Sequence, residues 1–259
     1  MKLIVLIKMV PDVVEELVIG EDGKSLDIDA VRMTLNESDD HALEEAILLK
    51  ERLGGTVTVV SLDSPEVDEA LYTAIAKGAD RVIKITGIDL PPPTRETALL
   101  MAEVLRSQPG LLPADLILTG SQAIDDLDGL LAPLVAHELG LPYLGILTRI
   151  CPAEDLKSAT VLKEFAGGLR GEFEIPLPAV LGVQSAEKPP RYVPVAKVRA
   201  AMKSAQIETV PAPARQDLEL VCVSAMRMPE EAGAAEMLDG SPEEVSGKLC
   251  GVLAERGLL

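Results

Sequence analysis

Short apolar runs alternate with amphipathic segments from the N-terminus to Pro142. The apolar runs have the length and β-branched content of buried strands, and we predict strands over residues 1–8, 56–62, 81–86 and 116–119. The amphipathic segments repeat apolar residues at helical spacing, and we predict helices over residues 39–53, 65–80, 94–107 and 128–139. Strands and helices that alternate through short connections form a mostly parallel sheet covered on both faces. The pattern therefore predicts a three-layer α/β fold.

The pattern changes after Pro142. The Gly167-Gly168 turn, Pro176 and Pro178 fit antiparallel strands and sheet edges. We therefore predict additional short strands, mostly antiparallel, over residues 143–150, 159–166, 171–176 and 179–184. Residues 13–31, around an Asp22-Gly23 turn, are predicted to form a hairpin or an ordered excursion from the sheet.

The C-terminal part of the chain is weakly patterned. Residues 188–213 contain proline and lysine without a clear period, and Ser241 with Pro242 begins a predicted helix that ends near Gly257. We therefore predict an α/β domain over residues 1–190. Residues 191–259 are predicted to form an arm that docks on a partner surface.

Composition and charge exclude several classes of protein. The formal net charge of −18 argues against nucleic-acid binding, which needs a basic surface. Three widely spaced cysteines and two histidines support neither a disulfide framework, a zinc site nor a histidine-based catalytic triad. The N-terminal apolar run is interrupted by Lys8, which indicates a buried strand and not a signal peptide. We expect a cytoplasmic protein of a prokaryote, because no signal, transit peptide or membrane span is predicted.

The candidate site is the loop after the strand at residues 116–119. It contains Gly120, Gln122 and three aspartates, Asp125, Asp126 and Asp128, and it leads into a helix. In open α/β sheets, nucleotides bind where a strand's carboxyl end runs through a glycine into a helix N-terminus. Because the aspartates compete with a phosphate for the free N–H groups, adenine and ribose fit better than a tightly held phosphate. A solvated loop with aspartates as helix caps explains the composition equally well.

Other polar residues fall near the same edge of the predicted sheet. Asn36 precedes the first helix at the same end as the loop, either as a binding residue or as a turn residue. His41 lies in the first helical turn, where the helix dipole disfavours a protonated imidazole, so a structural role is expected. Lys8 follows the first strand and is expected to bond backbone carbonyls, without a chemical role.

Several segments together resemble the β subunits of electron transfer flavoproteins. The resemblance follows the order of almost the whole chain and rests on VLIKMVPD, LNESDDHALEEAILLKE, AIAKGADRVIKI, GSQAIDD, LPAVLGVQSAEKPPRY and PEEVSGKLCGVLAERG. It implies a Rossmann-like three-layer fold and a heterodimer with an α subunit that holds most of the redox-active FAD. It also implies an electron carrier without catalytic residues of its own, which holds AMP or, in electron-bifurcating members, a second FAD. The implied partners are the α subunit, acyl-CoA or other flavin dehydrogenases that dock through the loop after Tyr192, and a quinone reductase or other acceptor.

The resemblance implies that residues 1–190 bind the nucleotide and that residues 191–259 hold the recognition loop and the arm docking on the α subunit. The implied cofactor-binding residues are Leu6, Asn36, Glu37, Ser38, Asp39, Leu62, Gly120, Ser121, Gln122, Ala123, Ile124, Asp125, Asp126, Leu127, Asp128, Gly129, Leu130 and Leu131.

The chain departs from the family pattern at several positions. Leu127, Gly129, Leu130 and Leu131 stand where the family usually has polar phosphate-holding residues, so side-chain help to a phosphate is lost. Thr94 and Thr97 resemble hydroxyls that bifurcating members place beside the second flavin. In the recognition loop, Val195-Ala196 replaces the usual Leu-Pro pair, with Lys197, Arg199 and Lys203 after it.

Two other classes are weighed against this resemblance. A regulatory module of the universal-stress-protein type would bind ATP and form homodimers, but such modules lack an arm like residues 191–259. An ATP pyrophosphatase on the same fold would need an SGGxDS-like loop after the first strand, where this chain reads KMVPD.

Overall fold

A computed structural model describes residues 1–27, 30–88, 92–214, 221, 223–229 and 235–259. The described residues group into two compact units, Met1–Ser224 and Ala225–Leu259. The predicted hairpin lies partly outside the described residues, since residues 28 and 29 are not among them. Within it, a single antiparallel bridge joins Ile19 and Leu26.

Most strands of the first unit belong to one sheet. The strands are β1 (Lys2–Ile7), β2 (Met9–Pro11), β3 (Met33–Leu35), β4 (Thr56–Leu62), β5 (Arg81–Thr86), β6 (Leu116–Gly120), β7 (Tyr143–Pro152), β8 (Ser158–Glu164), β9 (Arg170–Pro176), β10 (Ala179–Val183) and β11 (Glu208–Pro211). Among the described residues the large sheet has the order β11-β5-β4-β1-β6-β10-β7-β8-β9, and β2 pairs separately with β3. The pairs from β11 to β7 are parallel, whereas β7, β8 and β9 are antiparallel. The mostly parallel sheet with added antiparallel strands confirms the predicted fold class.

Helices cover both faces of this sheet. They are α1 (Glu37–Leu53), α2 (Val67–Lys77), α3 (Thr94–Ser107), α4 (Leu131–Leu139) and α5 (Val195–Ser204) in the first unit, and α6 (Pro242–Glu255) in the second. Along β1, Leu3 and Val5 pack in the core under α1 and α2, whereas Ile4 and Leu6 pack in the core under α3 and α4. This alternation, which follows from the two-residue period of a strand, produces the three layers.

The prediction that residues 179–184 form an antiparallel or edge strand is wrong. β10 lies inside the sheet and pairs in parallel with both β6 and β7. All five of its residues, Ala179–Val183, are buried, as expected of a strand covered on both faces.

Part of the predicted arm belongs to the main unit. α5 contacts α2, and β11 extends the sheet by pairing in parallel with β5. The boundary between the two units accordingly falls after Ser224, later than the predicted boundary at residue 190. That residues 191–259 dock on a partner stays a prediction.

The second unit contains the predicted C-terminal helix. Ser241 caps α6, because its hydroxyl accepts a hydrogen bond from the Glu244 N–H while the Glu244 carboxylate accepts one from the Ser241 N–H. Pro242 occupies the first turn, as the sequence predicts. None of the helix's residues is buried within this chain.

Candidate functional site

The candidate site lies at the carboxyl ends of β1 and β6, which are neighbours in the sheet. From β1 the chain runs outward through β4 and β5 and then returns to β6 on the other side of β1. In open α/β sheets, ligands bind at the point where the strand order reverses in this way. The loop from Ser121 to Leu130 begins at this point, as the sequence predicts.

Asp39, in the first turn of α1, ties the ends of these two strands together. One carboxylate oxygen accepts a hydrogen bond from the Gly120 N–H at 2.7 Å, and the other accepts one from the Lys8 N–H at 2.9 Å. The approach to β6 is so close that a Cβ atom on Gly120 would lie 2.5 Å from Asp39 Oδ1 and 2.2 Å from Ser38 Oγ. A glycine is therefore required at residue 120 because α1 sits against the backbone, not because of its φ angle.

The carboxyl group of Asp39 has an unusual pKa. Burial raises its pKa from 3.8 to about 7, although the hydrogen bonds from Gly120 and Lys8 act in the opposite direction. In the unfolded chain the same carboxyl ionises at its ordinary pKa. The folded state therefore binds more protons than the unfolded state between these two values, so this group's contribution to stability falls as pH rises from about 4 to 7.

We expect Asp39→Asn to remove this pH dependence. Relative to the variant, the original chain should lose about 2–4 kcal/mol of its free energy of unfolding between pH 4 and pH 7. Urea denaturation at a series of pH values measures this difference. Asp22→Asn is the control, because hydrogen bonds from the Lys24 and Ser25 N–H groups lower the pKa of Asp22, and its effect therefore stays flat above pH 4. If the stability difference between the original chain and Asp39→Asn did not change with pH, the raised pKa of Asp39 would be contradicted.

Lys8 makes the closest ionic contacts with the loop. Its ammonium lies 2.7 Å from a carboxylate oxygen of Asp125 and 2.8 Å from one of Asp126. Burial alone lowers the pKa of this ammonium, but the two carboxylates outweigh burial, so the pKa lies above its ordinary value. The expectation that Lys8 bonds backbone carbonyls is wrong, because the described contacts of its ammonium are with these two aspartates.

The aspartates are bound within the loop. Asp126 accepts a hydrogen bond from the Asp128 N–H at 3.3 Å. Asp128 accepts one from the Leu130 N–H at 2.8 Å and one from the Thr94 hydroxyl at 2.6 Å, which joins the loop to the start of α3. None of the aspartates is the N-cap residue of α4, since that position is Leu130 and has no side-chain cap.

Asn36, Ser38 and Gln122 shape the first half of the loop. The Asn36 amide and the Ser38 hydroxyl both donate to the Gln122 carbonyl, at 3.0 Å and 2.6 Å. The Gln122 side-chain amide donates to the Leu127 carbonyl at 2.5 Å, where Leu127 has a left-handed φ of 54°. In this structure the Gln122 side chain therefore supports the loop.

These contacts border a small, partly open cavity. Its lining includes eleven predicted site residues: Asn36, Asp39, Gly120, Ser121, Gln122, Ala123, Asp126, Asp128, Gly129, Leu130 and Leu131. The sequence reasoning missed two lining residues, Lys8 and Ala132. The position of Lys8 directly after β1 indicated its proximity to the site, but a strand pattern does not show which way the residue after the strand points.

The remaining predicted residues do not line this cavity. Leu6 is fully buried beneath α3 and α4, and Leu62 packs against the same core. Glu37 and Ser38 begin α1 beside the cavity, whereas Ile124 and Leu127 are exposed on the loop. Asp125 contacts the cavity indirectly, through Lys8.

Other kinds of site are not found in the described part of the chain. It contains no group of histidine, cysteine and carboxylate side chains arranged to hold a metal ion. Nor does any described helix have the length and apolar character needed to cross a membrane. The ring of His41 accepts a hydrogen bond from the Ala186 N–H at 3.2 Å, in agreement with its expected structural role.

The comparison with protein families decides the family of this chain. A family model described as the electron transfer flavoprotein domain matches residues 25–215. The chain belongs to the electron transfer flavoprotein family. This confirms the resemblance seen in the sequence, and the alternatives of a universal-stress-protein module and an ATP pyrophosphatase are not supported.

Proteins similar to this chain include β subunits of electron transfer flavoproteins. The chain is 29% identical to the electron transfer flavoprotein subunit beta of Methylophilus methylotrophus, over 98% of both chains. It is 30% identical to that of Bacillus subtilis, over 98% of this chain and 97% of the relative. Similarity extends to the mitochondrial subunit beta of Arabidopsis thaliana, at 29% identity over 86% of this chain and 89% of the relative.

Proposed function

We propose that this chain works as the β subunit of a heterodimeric electron transfer flavoprotein. In this proposal it pairs with an α subunit that carries the redox-active FAD, and the complex takes electrons from dehydrogenases and passes them to an acceptor. The cavity between β1 and β6 holds an adenine nucleotide, either AMP or the adenine end of a second FAD. The observation that carries the proposal is the location of this cavity at the switch point of the sheet, in a chain similar to β subunits over nearly its whole length.

The residues around the cavity suit the adenosine part of such a ligand. The amides of Asn36 and Gln122 hold the loop in place, and the turn from Gly120 to Ala123 supplies backbone groups for hydrogen bonds to a base or a ribose. The phosphate would lie at the start of α4, where Leu131 and Ala132 line the cavity and offer backbone N–H groups without polar side chains.

The chain needs no acid or base for this function. A bound flavin supplies the electron transfer chemistry itself, and the protein positions it and sets its surroundings. What the residues of this chain contribute is a rigid edge: Asp39 fixes the ends of β1 and β6, and Asp128 fixes the loop to α3 through Thr94.

A basic helix is the proposed contact for dehydrogenases. Tyr192 and Val195 are 84% and 60% exposed just before and at the start of α5. That helix carries Lys197, Arg199 and Lys203 in a chain whose net charge is −18. An exposed apolar anchor with cations beside it fits an acidic protein surface.

Co-expression with the α subunit of the same organism tests the proposal. We expect an equimolar yellow complex whose flavin is reduced by a dehydrogenase and reoxidised by an acceptor. Denaturing the complex and chromatographing the released nucleotides should give one FAD with one AMP, or two FAD per heterodimer. A colourless chain that does not associate with the α subunit would contradict the heterodimer, and one FAD with no second adenine compound would contradict the cavity's role.

A further inference from the structure

The cavity has one cationic side chain among the described residues that line it, and that cation is already neutralised. Lys8 points its ammonium at Asp125 and Asp126, with N–O distances of 2.7 Å and 2.8 Å. All three side chains are largely covered, with 29%, 21% and 23% of their surfaces exposed, so solvent screens the contacts only in part. An incoming phosphate thus meets no free ammonium here.

The other ionisable groups that line the cavity are acidic. Asp126 and Asp128 belong to the loop, and Asp39 lies at its base. At the start of α4 the lining side chains are those of Leu130, Leu131 and Ala132, which have no hydrogen-bond donors. The favourable interaction left for a phosphate is that of the helix N-terminus, whose partial positive charge is equivalent to about half an elementary charge.

We propose that the Lys8–Asp125–Asp126 cluster makes the cavity select adenosine compounds by the charge on the 5′ phosphate. A phosphodiester, with one negative charge, or an unphosphorylated nucleoside is accepted, and a phosphomonoester, with about two charges at neutral pH, is disfavoured. This inference rests on the proposed nucleotide role of the cavity and names the ligand class within it. In a dinucleotide such as FAD, the phosphate next to the adenosine carries an ester and an anhydride linkage and therefore has the single negative charge that the cavity accepts.

The geometry explains why Lys8 does not simply turn to the phosphate. Its ammonium separates two carboxylates that neighbour each other in sequence. If it moved to a dianion, Asp125 and Asp126 would be left facing each other without a counter-charge, close to the new negative charge. The second charge of a monoester therefore adds repulsion that neither Lys8 nor the helix N-terminus offsets.

The selectivity is measurable without a variant. Isothermal titration of the full-length chain, freed of nucleotide, compares AMP with adenosine 5′-methyl phosphate, which differs by one methyl group and one negative charge. We expect the methyl ester to bind about ten-fold more tightly than AMP at low ionic strength, and the gap to narrow as salt is added. AMP binding as tightly as the methyl ester, or more tightly, overturns the inference.

Variants then assign the selectivity to the cluster. In the double variant Asp125→Asn with Asp126→Asn, Lys8 is freed for the phosphate, so AMP should bind as tightly as the methyl ester. Asp155→Asn is the matched control, since it removes a carboxylate from an exposed turn between β7 and β8 that does not line the cavity. A double variant that folds and retains the original preference shows that the cluster is not its source.

Failure of this inference and failure of the proposed function are distinguishable. Adenosine and both nucleotides binding without regard to charge would overturn the charge selection and leave the adenine site in place. No binding by any of the three would overturn both the adenine site and its selectivity. Assembly with the α subunit is measured separately, by the co-expression experiment.

Discussion

Replacing Arg191 with methionine is expected to lower the free energy of unfolding by about 3 kcal/mol, which for a chain of this size lowers the melting temperature by about 6–12 °C. The Arg191 guanidinium lies 2.9 Å from Glu44 and 2.6 Å from Glu51, both on α1. The Glu44 side chain is only 2% exposed and also accepts a hydrogen bond from the Arg191 N–H. Without the guanidinium, a buried carboxylate keeps one backbone donor and has no counter-charge. Thermal and urea unfolding measure the loss.

The pair Arg170–Glu164 supplies a matched control for Arg191→Met. Its side chains are 66% and 43% exposed, so Arg170→Met should change the stability by less than about 0.5 kcal/mol. Adding Glu44→Gln to Arg191→Met should recover part of the loss, because the unpaired carboxylate is then gone. If Arg191→Met were as harmless as Arg170→Met, the ion pair would not be what fixes this segment to α1.

The same contact connects stability with the proposed function. Arg191 lies four residues before Val195, the first residue of α5, in the stretch that leads from the sheet to this helix. Glu45 also holds this stretch, because its carboxylate accepts a hydrogen bond from the Glu187 N–H at 2.9 Å. Glu44 and Glu45 of α1 thus hold the stretch that leads into the basic helix α5, although neither residue lies in α5 or lines the cavity.

The sequence was sufficient to predict the layers of the fold but not the position of every strand. The alternation of apolar runs with helical periods predicts β1, β4, β5 and β6 because each run is followed by its own crossover helix. β10 follows β9 without such a helix, so its short apolar run was grouped with the antiparallel strands. Its insertion between β6 and β7 depends on long-range packing, for which the uninterrupted apolar character of Ala179–Val183 is the only local signal.

The candidate site shows a similar division. The loop after β6 could be predicted, because a strand followed by glycine, acidic residues and a helix has a known place in a parallel sheet. The roles of Lys8 and Asp39 could not be predicted from the sequence. Each depends on a contact with a residue more than thirty positions away in the chain. Leu6 lies in β1 near the same strand end, but the two-residue period turns its side chain into the core under α3 and α4, and it does not line the cavity. That Leu6 contributes to cofactor binding stays a prediction.

Gly120→Ala is expected to disrupt the site more than any change in the loop. The added Cβ would lie 2.2 Å from Ser38 Oγ, 2.5 Å from Asp39 Oδ1 and 2.8 Å from the Ser38 carbonyl carbon. Ser38 Oγ can rotate away, but the backbone carbon moves only with the start of α1. We expect a loss of about 2–3 kcal/mol in stability and at least about a ten-fold loss of adenosine affinity, because Asp39 can no longer reach both strand ends.

Two companion variants separate the steric cause of this loss from others. Gly247→Ala makes the same chemical change inside α6, where nothing lies within 4 Å of the new Cβ, and should be neutral or stabilising by up to about 1 kcal/mol. Ser38→Ala added to Gly120→Ala should recover little, because the Asp39 carboxylate and the Ser38 backbone still block the new methyl group. Full recovery by Ser38→Ala would mean that the hydroxyl alone sets the approach of α1 to β6. In that case Asp39 would not be the residue that holds the two strand ends at the distance the cavity needs.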